Sequence, residues 1–176
     1  MTQAAIQPSA AHSRTVTWED PAATRAAAAG LSGLEVMRGI RDKTLAPPPM
    51  AAVIGFDCVR AEPGDIVMEL IPDPSLENAI GVLHGAVAAT LLDTAMGAAI
   101  NTLLDADKTV VTIDLKITYL KPLTLKSAPI RASAKVLNQS RSLAYVEGEV
   151  RDASGRLAAH AVGNFSILSV GSGAAT

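Results

Sequence analysis

One aspartate interrupts the most apolar stretch of the chain, NAIGVLHGAVAATLLDTAM at residues 78–96. An ionised carboxylate is costly to remove from water unless a partner holds it or a function requires it. No basic residue lies within one helical turn of Asp93 on either side. A carboxylate in this position can act as a nucleophile or a general base, or it can be a structural group that accepts hydrogen bonds from hydroxyls such as those of Thr90 and Thr94. Asp93 is therefore the first candidate for chemistry.

His84 and Gly85 stand where a helix through this stretch would begin. The first N–H groups of a helix have no partner within the helix and carry partial positive charge. Because Gly85 has no side chain, an oxygen that gains negative charge can approach its N–H closely. Gly85 and Asp93 are separated by about 12 Å along a helix, whereas both would have to lie within ~3 Å of one reacting group. The spacing predicts a site built from two antiparallel helices, one from each copy in a two-fold dimer.

Composition excludes several classes of protein. A length of 176 residues with 49% hydrophobic residues fits one globular domain. A single cysteine, Cys58, allows no internal disulfide, and three scattered histidines give no metal-site spacing, so no metal is expected. The net charge of −2 and 3% aromatic residues argue against nucleic-acid binding.

Targeting and nucleotide-binding signals are also missing from the sequence. There is no run of 18 apolar residues and no signal-type N-terminus, so we expect a cytoplasmic protein that does not enter the membrane. Phosphate-binding glycine motifs and a G-x-S-x-G elbow are absent as well.

The elements that must position the candidates can be placed by periodicity. We expect poorly ordered tails at residues 1–17 and 169–176, and a helical extension of two short helices within residues 18–49. Strands are expected from residue 51, first as a hairpin whose turn is Glu62-Pro63-Gly64-Asp65. A buried helix follows at about residues 84–104, and then strands at about 108–120, 128–138, 142–152 and 156–168. This order predicts an α+β domain at residues 50–168 in which an antiparallel sheet wraps around one long central helix.

The strand after the helix, KTVVTIDLKITYLKP, alternates apolar and polar residues. Alternation places every second side chain on the same face of a strand. One face is expected to carry Val111, Ile113, Leu115, Ile117 and Tyr119. Thr112 is expected on the other face, with Asp114, Lys116 and Thr118.

Asn78, Gly81, His84, Gly85 and Asp93 together form the pattern N-x-x-G-x-x-H-G-x₇-D. With the strand VTIDLKITYLKP and the order hairpin, helix, four strands, this pattern resembles the hotdog-fold acyl-CoA thioesterases of the phenylacetate-pathway type, in the 4-hydroxybenzoyl-CoA thioesterase superfamily. The resemblance covers residues 50–168. It departs at Ala86, where the family usually has a second glycine.

The resemblance implies a reaction and an assembly. It implies hydrolysis of an acyl-CoA to a free acid and coenzyme A without a cofactor, at sites shared in a dimer or a dimer of dimers (a homotetramer). Asp93 would attack the thioester or activate water, and the Gly85 N–H would bind the oxyanion. Asn78 would bind the thioester end or orient the attacking group, His84 would shape the start of the helix, and Thr112 would orient the water.

Six basic residues and no acidic one lie between Leu115 and Val146. They can be solvated positions on edge strands and turns, or they can hold the phosphates of coenzyme A. For the second role Arg141 is the first choice and Lys121 the second.

Two other functions remain open. A hotdog hydratase or dehydratase would use His84 for proton transfer, and a non-catalytic acyl-CoA binding protein would use the same cleft. The acyl group is not determined, because Ala88, Ala89, Gly97 and Ala98 can either leave room for it or allow close packing of a dimer. The N-terminal helices have two possible places, over the acyl pocket or outside the sheet.

Overall fold

The computed structural model describes residues 11–170. The tails expected from the sequence, residues 1–17 and 169–176, are therefore mostly outside the described residues, which exclude 1–10 and 171–176. Two short 3₁₀ turns, Pro74–Leu76 and Leu125–Ser127, occur in the connections. The helices and strands are α1 Pro21–Ala27, α2 Gly33–Arg41, α3 Pro49–Ile54, β1 Phe56–Glu62, β2 Asp65–Leu70, α4 Gly85–Asn101, β3 Lys108–Tyr119, β4 Ile130–Gln139, β5 Leu143–Arg151 and β6 Leu157–Ser169.

Both N-terminal helices expected from the sequence are present, because each begins with a residue that caps it. The Asp20 side chain accepts a hydrogen bond from the Ala22 N–H, and Pro21 occupies the first helical position of α1. Ser32 and Glu35 form a capping box at the start of α2. These local signals fix where the two helices begin.

The strand predicted from residue 51 was wrong at its start. Residues 49–54 form the short helix α3, which begins at Pro49 and ends at Ile54; Gly55, the residue that follows, has a φ of 93°. Proline suits the first turn of a helix, and glycine tolerates the left-handed conformation that ends it. The hairpin then follows as predicted, with Glu62 opposite Asp65 and Pro63-Gly64 as its turn.

The six strands form one sheet, in the order β1-β2-β4-β5-β6-β3, and every neighbouring pair is antiparallel. Helix α4 packs against β2, β3, β4, β5 and β6. Leu91, Leu92, Ala95 and Met96 of this helix are fully buried among apolar side chains of the sheet. The prediction of an antiparallel sheet wrapped around one central helix is confirmed.

Strand β3 has a bulge that the sequence analysis missed. The pairing with β6 shifts between Thr112, which lies opposite Phe165, and Asp114, which lies opposite Asn164. A bulge inserts one residue and reverses which face the following side chains occupy. Thr112 therefore points to the same side of the sheet as Leu115.

The apolar residues expected on one face of β3 are consequently divided between two faces. Leu115 and Ile117 pack against the core around α4. Val111 and Ile113, in contrast, are 51% and 56% exposed. Among residues 11–170, β3 pairs only with β6 and is an edge of the sheet.

Candidate active site

The side chain of Asp93 is half-buried on α4 and has one hydrogen-bond donor among the described residues, the hydroxyl of Thr112. The distance from Thr112 Oγ1 to Asp93 Oδ1 is 2.7 Å. The hydroxyls considered in the sequence analysis do not fill this role, because the Thr90 hydroxyl donates to the Ala86 carbonyl instead and Thr94 makes no such bond. Asp93 thus keeps one carboxylate oxygen without a donor among residues 11–170.

His84 caps the start of α4. Its Nδ1 accepts a hydrogen bond from the Ala86 N–H at 3.1 Å. A neutral imidazole that accepts at Nδ1 carries its proton on Nε2. The structure therefore gives His84 a structural task at the start of the helix.

Gly85 lies directly under the ring of Tyr119. A Cβ atom added to Gly85 would be 3.4 Å from Tyr119 Cε1, so the glycine permits a close approach between the helix start and the end of β3. Both residues line a cavity of about 250 Å³, together with His84 and Lys121. The sequence analysis placed Tyr119 near the end of this strand but did not identify it as a site residue.

Asn78 organises the loop before the helix. Its side-chain oxygen accepts hydrogen bonds from the Ile80 N–H at 3.0 Å and the Val82 N–H at 3.4 Å. Its backbone N–H also donates to the Val82 carbonyl. The side-chain NH₂ group of Asn78 donates no hydrogen bond within the described part of the chain.

The two choices for binding phosphate lie at opposite ends of β3. Lys121 lines the cavity at the start of α4. Arg141 is exposed in the turn between β4 and β5, next to Ser142, whose carbonyl accepts from the Ile167 N–H. Ile167 pairs with Val110, so this turn lies near the Thr112 end of β3.

A second cavity, of about 240 Å³ and mainly apolar, lies along α4 from Thr94, the residue after Asp93. It is lined from α4 by Thr94, Gly97 and Ala98, and from the N-terminal helices by Met37 and Ala51. The sequence analysis left the place of these helices open between the acyl pocket and the outside of the sheet. The structure places α2 against both α4 and β1, along this cavity.

Cys58 also lines this apolar cavity, and it is the only cysteine of the chain. Burial raises the pKa of its thiol. The thiolate is the reactive form of cysteine, so Cys58 is expected to react slowly at neutral pH.

Another cavity, of about 800 Å³, lies on the sheet over β2, β4 and β5. None of the predicted site residues lines it. Its charges are largely paired: Arg131 contacts Glu69, and Arg151 contacts Glu149. This surface offers no excess of one charge.

No helix among residues 11–170 has both the length and the apolar character needed to cross a membrane. The same residues contain no group of three or more His, Cys, Asp or Glu side chains positioned to hold a metal ion.

A six-stranded antiparallel sheet wrapped around one central helix is the architecture of the hotdog fold. Known proteins agree with this assignment. The Thioesterase superfamily model matches residues 80–159. Human acyl-coenzyme A thioesterase 13 is 36% identical over 104 residues, which make up 57% of this chain and 71% of the human protein.

Solved structures give the same fold. The PaaI protein of Escherichia coli, from the phenylacetic acid degradation operon, superimposes with a TM-score of 0.66 at 18% identity, over 80% of this chain and 96% of the other. The phenylacetic acid degradation protein PaaI of Thermus thermophilus is 26% identical, with a TM-score of 0.60 over 68% of this chain and 98% of that protein. The chain belongs to the thioesterase superfamily and is a thioester hydrolase of the hotdog fold. The resemblance found in the sequence is confirmed.

Proposed function

We propose that the protein hydrolyses acyl-CoA thioesters to a free acid and coenzyme A, at a site shared between two copies of the chain. The observation that carries this proposal is the hydrogen bond from Thr112 to Asp93. It holds a carboxylate in a fixed direction on the central helix, beside an apolar cavity and with one oxygen left to act. In addition, the human relative, of which the alignment covers 71%, is named as an acyl-coenzyme A thioesterase.

In the proposed reaction, the thioester carbonyl oxygen accepts a hydrogen bond from the Gly85 N–H and becomes the oxyanion. Asp93 either takes a proton from an attacking water or attacks the carbonyl carbon itself, to form an anhydride that water then cleaves. The carbon–sulfur bond breaks, and the thiolate of coenzyme A leaves and takes up a proton. No atom changes oxidation state, so the reaction needs no redox cofactor; we propose that it also proceeds without a metal, and coenzyme A belongs to the substrate.

Two copies are needed because Gly85 and Asp93 lie eight residues apart on one straight helix, about 12 Å. The exposed edge of β3 is where we propose that the second copy binds. Its twelve residues include the exposed apolar side chains of Val111 and Ile113. A long edge strand with apolar side chains is prone to pair with another strand.

The register of this pairing follows from the two halves of the site. Thr112 holds Asp93, and the ring of Tyr119 covers Gly85. To bring Asp93 to Gly85 of the second copy, Thr112 must therefore lie opposite Tyr119 of that copy. The bulge in β3 makes it simpler to count along β6, the strand that pairs with it. Thr112 lies opposite Phe165 and Tyr119 lies opposite Ala159. The residue midway between Phe165 and Ala159 is Val162, which lies opposite Lys116. We propose that the two-fold axis passes at Lys116.

The same arrangement brings the two basic candidates together. Arg141 lies near the Thr112 end of β3, and Lys121 follows the Tyr119 end. Antiparallel pairing would therefore place Arg141 of one copy on the same side of the site as Lys121 of the other. We propose that both bind the phosphates of coenzyme A at the mouth of the site.

The hydratase alternative is weakened by the position of His84. Its Nδ1 is occupied by the Ala86 N–H, so only Nε2 could exchange a proton with substrate. The other alternative is a protein that binds acyl-CoA without hydrolysing it. A measurement of coenzyme A release distinguishes it from the proposal, because it predicts binding without turnover.

The test is release of coenzyme A from a panel of short, medium, long and aryl acyl-CoAs, compared between wild type and Asp93→Asn. Loss of a general base or nucleophile typically costs about 10²–10⁴ in rate, so we expect the variant to fall at least about a hundredfold in kcat while it remains folded and oligomeric. Binding of acyl-CoA without release in the wild type would replace the proposal with the binding-protein alternative.

A further inference from the structure

The apolar cavity is lined on α4 by residues from Thr94, which follows Asp93, to Asn101, and so extends away from the start of the helix. Gly97 follows Asp93 by four residues, so it lies one turn further along the same side of the helix. Val110 precedes Thr112 by two residues and shares its face of β3. Both line the cavity. A group attached to a carbonyl carbon at Asp93 would enter this cavity, on the side opposite to coenzyme A.

The lining of the cavity selects against charge. Apolar side chains dominate it, and no Asp, Glu, Lys or Arg side chain contributes. Burying a carboxylate without a partner is strongly unfavourable. A dicarboxylic acyl group would therefore be rejected, whereas an aliphatic or aromatic group would gain from leaving water.

The outer wall of the cavity comes from the N-terminal helices. Met37 and Ile40, one turn apart on α2, face Gly97 and Ala98 of α4 across the cavity, and Pro48 and Ala51 close its end. Met37 is buried, with 7% of its surface exposed. Without α2 and α3, the cavity would be open to solvent on this side.

Helix α2 is attached to the end of α4 in a way that leaves little freedom. The Gly33 N–H donates to the Leu104 carbonyl at 3.0 Å. A Cβ atom at Gly33 would lie only 1.8 Å from the carbonyl oxygen of Asn101. No other residue fits at position 33 without a shift of the backbone. The wall is therefore pre-formed, and the cavity has a fixed end.

We propose that residues 33–54 are a specificity element of the active site, which closes the acyl pocket so that it accepts a neutral short- or medium-chain acyl group or a single aromatic ring. This inference rests on the proposed acyl-CoA hydrolysis. The volume of about 240 Å³ lies below the range of about 300–1,000 Å³ that holds drug-sized ligands. A long fatty acyl chain meets the wall formed by Met37 and Ile40 before it is fully buried.

The experiment measures kcat/KM for hexanoyl-, octanoyl-, phenylacetyl-, palmitoyl- and succinyl-CoA. In the wild type we expect octanoyl- or phenylacetyl-CoA to exceed palmitoyl-CoA by at least about tenfold, since a single methylene in a pocket already discriminates by ~10–200-fold. Succinyl-CoA is expected to be the poorest substrate of the panel. A wild type that prefers palmitoyl- or succinyl-CoA would overturn the inference.

The decisive variant is Met37→Ala, which removes part of the wall. We expect the ratio of palmitoyl- to octanoyl-CoA activity to rise by about tenfold. The matched control is Met96→Ala: Met96 is also a buried methionine, but its side chain packs towards Gly148 and Gly163 of the sheet. Equal ratios in Met37→Ala, Met96→Ala and wild type would overturn the inference and leave the proposed hydrolysis intact.

A second variant guards against poor folding of Met37→Ala. Gly97→Ala adds a methyl group at a residue that lines the cavity, and its Cβ would meet Phe165 Cε1 at 3.6 Å, an ordinary contact. We expect it to lower activity on octanoyl- and phenylacetyl-CoA more than on acetyl-CoA, and equal losses on all three would count against the pocket. Absence of coenzyme A release from every thioester would overturn the proposed function, and this inference with it.

Discussion

The hydroxyl of Thr112 on β3 donates a 2.7 Å hydrogen bond to Oδ1 of Asp93 on α4. This contact depends on the bulge that follows Thr112. Without the bulge, Thr112 and Leu115 would point to opposite sides of the sheet, whereas both face the central helix. The bulge thus allows one strand to supply a polar residue to the site and apolar residues to the core.

The first prediction concerns that hydrogen bond. Thr112→Val keeps the shape of the side chain and removes the donor. A hydrogen bond to a charged group contributes about 1.5–3 kcal/mol, so we expect kcat to fall about tenfold or more, while KM changes little. The measurement is steady-state hydrolysis of the best acyl-CoA of the panel.

Thr118→Val is the control for this variant. Thr118 lies opposite His160 on the outer side of β3 and is exposed. It should retain wild-type kcat. An equal loss in both variants would indicate a general effect on the strand and would remove the case for Thr112 as a residue that positions Asp93.

The second prediction tests the register of the proposed dimer. If the axis passes at Lys116, the two copies of this residue face each other with Cα atoms about 4.5–5.5 Å apart, within the ~7 Å limit for a disulfide. Lys116→Cys should then form a covalent dimer under mild oxidation, seen on a non-reducing gel. Cys58, the only native cysteine, is buried and should not interfere.

Thr118→Cys provides the matched negative control. It points to the same side of β3 as Lys116 but is two residues from the proposed axis. Its two copies would be separated by roughly 14 Å along the strands, too far for a disulfide. A covalent dimer from Thr118→Cys and none from Lys116→Cys would rule out this register.

The third prediction concerns the phosphates of coenzyme A. Lys121→Ala and Arg141→Ala should each raise KM for an acyl-CoA several-fold, because each removes one positive charge at the proposed mouth of the site. Activity on a short pantetheine thioester, which has no nucleotide phosphates, should not change. The effect should shrink as salt is added.

Lys126→Ala serves as the comparison for the loss of charge. Lys126 is exposed in the connection between β3 and β4 and does not line the cavity with Gly85. If all three variants raise KM equally, the effect reflects overall charge, and neither Lys121 nor Arg141 can be called a phosphate ligand.

The fourth prediction concerns stability at low pH. Asp152, in the turn between β5 and β6, accepts hydrogen bonds from the Ser154 hydroxyl and from Arg156, and these contacts lower its pKa to about 2. A carboxyl group whose pKa is lower in the folded state stabilises the fold above its unfolded pKa of about 3.9, and this contribution is lost as the pH falls towards 2. Asp152→Asn should therefore lower Tm at pH 7 and have a smaller effect at pH 2.5.

Asp105→Asn is the control for the Asp152→Asn variant. Asp105 is exposed, and its side chain makes no hydrogen bond or ion pair with residues 11–170. Its Tm should follow that of the wild type at both pH values. If Asp152→Asn lowers Tm by the same amount at pH 7 and at pH 2.5, the ionised form of Asp152 contributes nothing to the stability of the fold.

The type and order of the elements could be read from the sequence because local signals agree with each other. Asp20, Pro21 and the Ser32–Glu35 capping box begin the first two helices. Apolar residues at nearly every position make α4 a buried helix, and short turns between the last three strands make them antiparallel neighbours. The helix α3 was missed because six residues are too few to establish a helical period.

The candidate site was predictable in part. Asp93 stands out because a lone carboxylate in an apolar helix requires a reason, and Gly85 because it lacks a side chain at the start of that helix. The position of Thr112 relative to Asp93 was not predictable, since the bulge at Ile113 has no signal in a regular alternation of apolar and polar residues. Tyr119 was placed on a face of β3, but its contact with Gly85 involves residues far apart in the chain.

The sequence by itself indicated the hotdog family, through a motif that resembles it, and composition and period placed the central helix with Gly85 at its start and Asp93 within it, because these signals lie within a short segment. Only the tertiary structure decided that Thr112 holds Asp93 and that α2 and α3 wall the cavity beside it. Those relations join segments 19 to more than 50 residues apart. They depend on how the sheet and the helices pack together, which a local pattern does not specify.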